Sequence, residues 1–115
     1  LTANISLTLG AVSNLTRGVF TGGYNTSWQL VNTMEYITIA STGNSTDFGD
    51  LTRNVGYASG CDNKVTAFFG AGYTPTIDNK IDKVNIASLG NATEFGDMNE
   101  TCDGSYGASS GHGGL

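Results

Sequence analysis

The chain has 115 residues, of which 38% are hydrophobic and 13% are charged, and its formal net charge is −5. The negative charge argues against a nucleic-acid partner, and no apolar run reaches the roughly 18 residues of a membrane span. The length suits a single domain over residues 1–115. A charged content below the usual quarter indicates a surface of Thr, Ser, Asn and Gly, which is typical of extracellular and virion proteins. Because the sequence begins with Leu1, we expect a processed chain or part of a longer polypeptide.

The first predicted strand lies within residues 1–14. Ile5, Leu7 and Leu9 alternate with polar residues, and this is the period of a half-buried strand. The strand is predicted to end in a turn where Ser and Asn follow each other at positions 13–14.

The second predicted strand, residues 17–24 (RGVFTGGY), runs into two glycines and an aromatic residue. Residues 66–73 (TAFFGAGY) match it 49 positions later. Glycine within a strand indicates a bulge or a close approach of another backbone, so both copies are predicted to lie in a crowded part of the fold. The connection that follows is two residues longer in the first copy than in the second. Since insertions collect in surface loops, this loop and its Trp28 are predicted to be exposed.

The third predicted strand, residues 34–40, has a clear alternation of side chains. Ile37 and Ile39 lie on one face, and the residues between them lie on the other. The second copy repeats this pattern with Val84 and Ile86. Both segments are therefore predicted to be strands with one apolar face.

The segment that follows the third strand is rich in turn residues. Gly43 and Asn44 predict a turn, because both tolerate a left-handed backbone. Phe48 is predicted to anchor the core. Gly49 and Asp50 then predict a second turn.

An internal repeat connects these elements. Residues 36–51 (YITIASTGNSTDFGDL) match residues 83–98 (KVNIASLGNATEFGDM) at nine of 16 positions, 47 positions later in the chain. A period of about 20–50 residues marks a repeat architecture, in which each copy needs its neighbours. Residues 52–62 predict a fourth short strand and a turn, which completes the period.

The predicted fold is all-β, a propeller-like repeat of about 47 residues with two blade-like units and strand-sharing ends. The units span about 9–57 and 58–104, and a Gly- and Ser-rich tail spans 104–115. Partial strands at both ends are expected to complete a blade across a closure, within one chain or between chains. The repeat also predicts equivalent burial for two pairs, Phe48 with Phe95 and Ile39 with Ile86.

Three segments carry a resemblance to a known family: RGVFTGGY, MEYITIASTGNSTDFGDL and ASGCDNKVTAFFGAGY. They resemble the kelch-like repeats of virion and tail proteins of marine phages, notably cyanophages. The ending SSGHGGL is similar to the C-terminus of such proteins, and the resemblance covers most of residues 9–115. It implies a β-propeller-like or related β-rich repeat in a virus particle, without a catalytic residue. The tryptophan late in the kelch repeat is absent, and Trp28 lies elsewhere.

Tyr24, Trp28 and Tyr73 are the candidate ligand-binding residues. They lie in or near predicted loops, and exposed aromatic faces stack against sugar rings in carbohydrate-binding proteins. The alternative is that the two tyrosines pack within the sheets. Trp28, in the longer loop, is therefore the stronger candidate.

No catalytic, metal or cofactor site is predicted. His112 is the only histidine and has no adjacent partner in its Gly- and Ser-rich tail. Asp47 and Asp50 recur as Glu94 and Asp97, but their spacing lacks the alternating pattern of a calcium loop. Capping of turns is the favoured role for these carboxylates. The glycine-rich segments lack the Lys-Ser/Thr pair of a phosphate-binding loop.

Two cysteines, Cys61 and Cys102, permit one disulfide. Their separation differs from the repeat, so they are not equivalent positions. The resemblance implies folding in a reducing cytoplasm, where disulfides are rare. We therefore predict that the two cysteines are not bonded to each other.

The predicted function is that of a non-enzymatic structural component of a phage virion, as capsid-surface decoration, tail or fibre, with a contribution to host adhesion. The alternative is a small lectin-like carbohydrate-binding module. Two blades cannot close a propeller, which typically has 4–8. The expected partners are therefore other virion proteins, further copies of the chain with a trimer favoured, or the rest of a longer chain, and a host surface glycan. Neither nucleic acid nor membrane is expected as a partner.

Overall fold

The computed structural model describes Ser6 and residues 10–109, and these residues form an all-β protein without a helix. Two four-stranded antiparallel sheets follow each other along the chain, and each sheet has its strands in sequence order. Sheet 1 consists of β1 Gly10–Ser13, β2 Arg17–Thr21, β3 Thr33–Thr38 and β4 Thr46–Asp50. Sheet 2 consists of β5 Ser59–Asp62, β6 Thr66–Gly70, β7 Lys80–Asn85 and β8 Thr93–Asp97.

The two sheets correspond strand for strand. β1 and β2 recur as β5 and β6 at an offset of 49 positions, and β3 and β4 recur as β7 and β8 at an offset of 47. The register shifts between Met34 and Glu35 in sheet 1, and between Ile81 and Asp82 at the same place in sheet 2. Neither sheet closes into a ring among the described residues, so the all-β class is confirmed and a propeller remains a prediction.

The core lies between the sheets, and the two sheets bury opposite faces. Successive side chains of a strand point to opposite sides. In sheet 1, Val19 is buried against the other sheet. Its counterpart in sheet 2 is Phe68, but there the buried residue is the next one, Phe69. The core cluster takes Val12, Val19, Met34, Phe48 and Leu51 from sheet 1 and its last turn, Val55 from the connection, and Ala58, Ala67, Phe69, Val84, Ile86 and Ala92 from sheet 2 and its flanking segments.

A segment of the second half also covers the free edge of sheet 1. The Gly90 amide donates to the Phe48 carbonyl at 2.9 Å, and the Ala92 amide donates to the Asp50 carbonyl at 2.8 Å. Gly49 lies between these bonds, and a Cβ built on it would overlap the Gly90 carbonyl oxygen. Glycine is required here because another backbone approaches closely.

The prediction of equivalent burial is wrong for both pairs. Phe48 is 2% exposed whereas Phe95 is 57% exposed, and Ile86 is fully buried whereas Ile39 is 53% exposed. The physical reason is the face of the sheet on which each residue lies. Phe48 and Ile86 face the interface between the sheets, whereas Phe95 and Ile39 lie on the two outer faces, where the described chain supplies no neighbouring sheet.

Two local predictions also need correction. The turn predicted at Gly49 and Asp50 is wrong, because both residues belong to strand β4. In residues 52–62 the strand is confined to Ser59–Asp62, and the segment before it is a loop. By contrast, the turn after β1 is present, where the Asn14 side chain accepts a bond from the Thr16 amide at 2.8 Å. The alternating residues predicted within 1–9 lie outside the described part of the chain.

The C-terminal segment packs on sheet 2. The Ser105 hydroxyl donates to the Ser59 hydroxyl at 3.0 Å, and Gly107 lies against the Gly60 carbonyl so closely that a Cβ would overlap it. Cys61 and Cys102 are both free and partly exposed. The remainder of the predicted tail, 110–115 with its histidine, lies outside the described residues. In the described residues, no helix is long and apolar enough to cross a membrane.

Candidate functional site

The three aromatic residues singled out from the sequence line one cleft. Tyr24, Trp28 and Tyr73 all border an open cavity of about 790 Å³ at the junction of the two halves. The Tyr24 and Trp28 ring centroids are 6.1 Å apart, with the rings tilted by 55°. The structure therefore brings together side chains that are up to 49 positions apart in the sequence.

Trp28 is held outward by the turn that contains it. The Asn25 side chain accepts bonds from the Ser27 amide at 2.9 Å and the Gln29 amide at 3.0 Å, and this closes a tight turn. Trp28 sits at its tip with a left-handed φ of 57°, which is unusual for a bulky residue. Its side chain is 73% exposed, so most of the indole faces solvent.

The two tyrosines are held by backbone pairing outside the main sheets. Tyr24 pairs with Ser6 on one side and with Leu30 on the other, and Tyr73 pairs in the same way with Gly56 and Ile77. A Cβ on Gly56 would lie 3.2 Å from the Tyr24 ring, so this glycine lets the ring sit directly over the backbone that pairs with Tyr73.

Arg53 forms the polar wall of the cleft, and it binds the two halves together. Its guanidinium contacts the Asp78 carboxylate through Nε and the Asp82 carboxylate through Nη1 at 3.0 Å. Nη2 donates to the carbonyls of Ala71 at 3.2 Å and Lys80 at 2.8 Å. Because the Asp82 side chain is fully buried, the ion pair is shielded from water.

Thr52 adds to the hydrogen bonds around Asp82. Its hydroxyl donates to Asp82 Oδ1 at 2.6 Å, and its amide donates to Oδ2 at 3.1 Å. The buried carboxylate therefore has both oxygens satisfied, as buried charges require. Sequence reasoning missed Arg53 and Asp82, since a single arginine in a loop gives no pattern and the strand that holds Asp82 contains other charged residues.

Two groups of the cleft have shifted pKa values. The hydrogen bond that Lys80 donates to Glu94 at 3.0 Å raises the pKa of the lysine. Partial burial, with the neighbouring Tyr57 and Tyr73 hydroxyls adding to it, raises the pKa of Tyr24. Both groups therefore keep their protons at neutral pH, and the cleft offers a neutral phenol and a paired ammonium.

A second candidate surface is apolar and lies on the outer face of sheet 2. A groove of about 280 Å³ is lined by Ser59, Cys61, Phe68, Gly70, Ile81, Phe95 and Met98. The rings of Phe68 and Phe95 meet edge-on with centroids 4.9 Å apart. Burial, with Asp62 adding to it, raises the pKa of the Cys61 thiol at the groove wall. This surface was not predicted, because Phe95 was expected to be buried.

Three of the four acidic residues considered as calcium ligands have other partners. Asp47 accepts a bond from the Gly49 amide at 3.2 Å, while Lys80 contacts Glu94 and lies 3.8 Å from Asp97. Within the described residues, no group of three or more His, Cys, Asp or Glu side chains converges as metal ligands would.

Comparison with known proteins finds no family model and no curated protein that matches this chain. Function is therefore inferred from the residues and geometry of the chain itself.

Proposed function

We propose that this chain is a non-enzymatic structural component of a phage virion, used in capsid-surface decoration, a tail or a fibre. The observation that carries the proposal is that residues at equivalent positions of the two repeats differ in their exposure to solvent. Phe95 and Ile39 are more than half exposed, although their counterparts are buried between the sheets. A chain that exposes apolar side chains on the outer faces of both sheets is suited to joining an assembly.

The charged residues of the cleft support a structural role. Arg53 is committed to the Asp78 and Asp82 carboxylates, and Lys80 contacts Glu94 and Asp97. These contacts connect the halves of the chain or neighbouring strands. The resemblance of the FGD and GGY segments to kelch-like repeats of phage tail proteins supports the virion as the location and other virion proteins as partners. A ring of three chains would contain six sheets, within the usual range for propellers.

Mass spectrometry of purified particles tests this proposal. Trypsin would release residues 18–53 and 54–64 as two diagnostic peptides. Both peptides should be detected in digests of the gradient fractions that contain intact particles. Their ratio to peptides of the major capsid protein should be constant across these fractions. Peptides found in the soluble lysate and missing from gradient-purified particles would contradict the proposal.

Carbohydrate binding in the aromatic cleft is the second candidate function, as host adhesion or as the activity of a lectin-like module. It is favoured by the exposure of Trp28 beside Tyr24 and by the presence of Tyr73 in the same cleft. A flat aromatic face next to neutral phenol and amide groups suits a neutral sugar ring.

The only tryptophan of the chain provides the signal for this test. Titration with neutral oligosaccharides should change the Trp28 fluorescence to saturation, and Tyr73→Ala should weaken binding with the signal retained. Leu15→Ala is the matched control, because Leu15 is 83% exposed and does not line the cleft. An unchanged emission spectrum with every sugar of a broad panel would refute this second function.

A further inference from the structure

On the basis of the structural role proposed above, we infer that two copies of this chain join head to tail. In this contact, the apolar groove on the outer face of sheet 2 receives the outer face of sheet 1 of the next copy. The contact between the two sheets of one chain is the template. Counterparts of its apolar side chains lie on the two outer faces, where the described residues form no further sheet.

The groove on sheet 2 matches the buried side of the template residue by residue. Its large side chains are Cys61, Phe68, Ile81, Phe95 and Met98. At the offsets of 49 and 47 positions, their counterparts are Val12, Val19, Met34, Phe48 and Leu51, and each of these is at most 6% exposed. The groove therefore has the shape and chemistry of a surface that the same fold buries elsewhere.

The outer face of sheet 1 matches the other side of the template. Ile39 occupies the place of Ile86, which is fully buried against sheet 1. Ile37 and Phe20 occupy the places of Val84 and Phe69, and both are partly exposed. This face is thus the apolar partner that the groove lacks.

The outer edge of strand β8 presents the same backbone carbonyl groups as the outer edge of β4. In sheet 1, the Phe48 and Asp50 carbonyls accept bonds from the segment that starts at Gly90. The corresponding carbonyls on β8 belong to Phe95 and Asp97, and the corresponding segment starts at Gly43. In the joined copies, the Gly43 amide donates to the Phe95 carbonyl of the neighbouring copy.

An asparagine side chain repeats in the same place. Asn91 accepts a bond from the Asp50 amide at 3.0 Å across the internal interface. Its counterpart Asn44 is exposed, and the counterpart of the donor is the Asp97 amide at the open edge of β8. Asn44 of one copy is therefore placed to accept from Asp97 of the next.

Gly96 gives a further reason to expect this contact. Its counterpart Gly49 must be glycine because the Gly90 carbonyl occupies the space of a Cβ. A Cβ on Gly96 meets no atom within 4 Å among the described residues, so this part of the chain gives no reason for glycine there. The Gly43 carbonyl of a second copy would occupy that space.

The ionic part of the template does not recur. Glu100 stands at the place of Arg53, and Val31 stands at the place of Asp78. The contact between copies is therefore weaker than the contact within the chain.

The chain's own C-terminal segment occupies part of the surface. Gly107 packs on Gly60 of β5 in the way that Gly60 packs on Ala11 of β1. The β1 strand of a second copy would take this place, and the two compete. Deleting residues 105–115 should therefore tighten the association.

Complementation of two variants tests the head-to-tail geometry by sedimentation velocity, from about 1 μM to about 1 mM, a range that covers moderate to weak affinities. Ile39→Asp disables only the outer face of sheet 1, and Phe95→Asp disables only the groove. The dissociation constant for self-association of each variant alone should be at least about tenfold higher than that of the wild type, as expected for a central interface residue. An equimolar mixture should form a dimer, because each partner keeps the half that the other lost. Leu15→Asp is the matched control and should associate like the wild type.

Gly96→Ala covers the case in which an aspartate variant fails to fold. Its Cβ meets no atom of the described residues within 4 Å, so the circular dichroism spectrum and the melting temperature should match those of the wild type, while self-association weakens at least about tenfold. A wild type that stays monomeric throughout the range overturns the inference and assigns the groove to another occupant. Undiminished association of Ile39→Asp also overturns it, because a groove-to-groove dimer would be the explanation.

These results are separable from those on the proposed function. A monomeric chain found in purified particles would refute the inference and leave the structural role intact. A head-to-tail oligomer absent from particles would refute the virion role and leave the contact intact.

Discussion

Replacing Phe48 and Phe95 by alanine, one at a time, measures the difference between the inner and outer faces of the repeated unit. Phe48 is 2% exposed, so its loss leaves a cavity and should cost about 3–5 kcal/mol of the free energy of unfolding. Phe95 is 57% exposed and meets Phe68 edge-on. Its loss should cost about 1 kcal/mol, mostly from this aromatic pair and partial burial.

Urea unfolding followed by circular dichroism supplies both values. The measurement belongs at low micromolar protein concentration, because self-association would bury Phe95 and raise its apparent contribution. Repeating it at high concentration should increase the cost of Phe95→Ala and leave that of Phe48→Ala unchanged. Equal costs for the two variants in dilute solution would refute the assignment of inner and outer faces.

Two further predictions concern the interface between the sheets, and a third concerns the pairing of β7 with β8 in sheet 2. Gly49→Ala should destabilise the fold by at least about 2 kcal/mol through overlap with the opposing carbonyl, whereas Gly96→Ala should leave the urea midpoint unchanged; similar midpoints for both would contradict the close approach. Arg53→Met should cost about 3–5 kcal/mol, because it leaves the Asp82 carboxylate buried without its cation, and a midpoint shift smaller than that of Leu15→Ala would argue against this ion pair. Because the pKa of Lys80 is raised in the folded protein, its contribution to the free energy of unfolding is complete below the pKa of the unfolded state, about 10.4. This contribution disappears as the pH rises through the pKa of the folded state. Lys80→Met should therefore lose less stability than the wild type between neutral and strongly alkaline pH, and parallel pH profiles would count against the Glu94 contact.

The strands were largely predictable because local patterns specify them. Alternation over residues 34–40 indicated β3, although the strand ends at Thr38 and Ile39 begins the turn that follows. The recurrence 47 positions later indicated its counterpart in the second sheet. The residues themselves could not reveal which copy has a neighbour on which side. Phe48 and Phe95 have nearly the same local sequence, and their burial differs because of what packs against them.

The candidate cleft was predictable in part. Tyr24, Trp28 and Tyr73 stood out as aromatic residues at loops, and the structure places them around one cavity. The ion pair of Arg53 with Asp82 was not predictable, because 29 positions separate the two residues and neither belongs to a recognisable motif. Gly49 was interpreted as a turn glycine; its actual role, accommodating a distant backbone, depends on a contact that local sequence does not encode.

A crystal structure of the self-associated protein tests the central claim most directly. The decisive quantity is the distance from the Gly43 amide nitrogen of one copy to the Phe95 carbonyl oxygen of the next. The account predicts about 2.9 Å, an ordinary backbone hydrogen bond, with Ile39 seated over the apolar groove. A structure in which β8 pairs with β8 of the other copy, or in which the groove of every copy stays open to solvent, would contradict it.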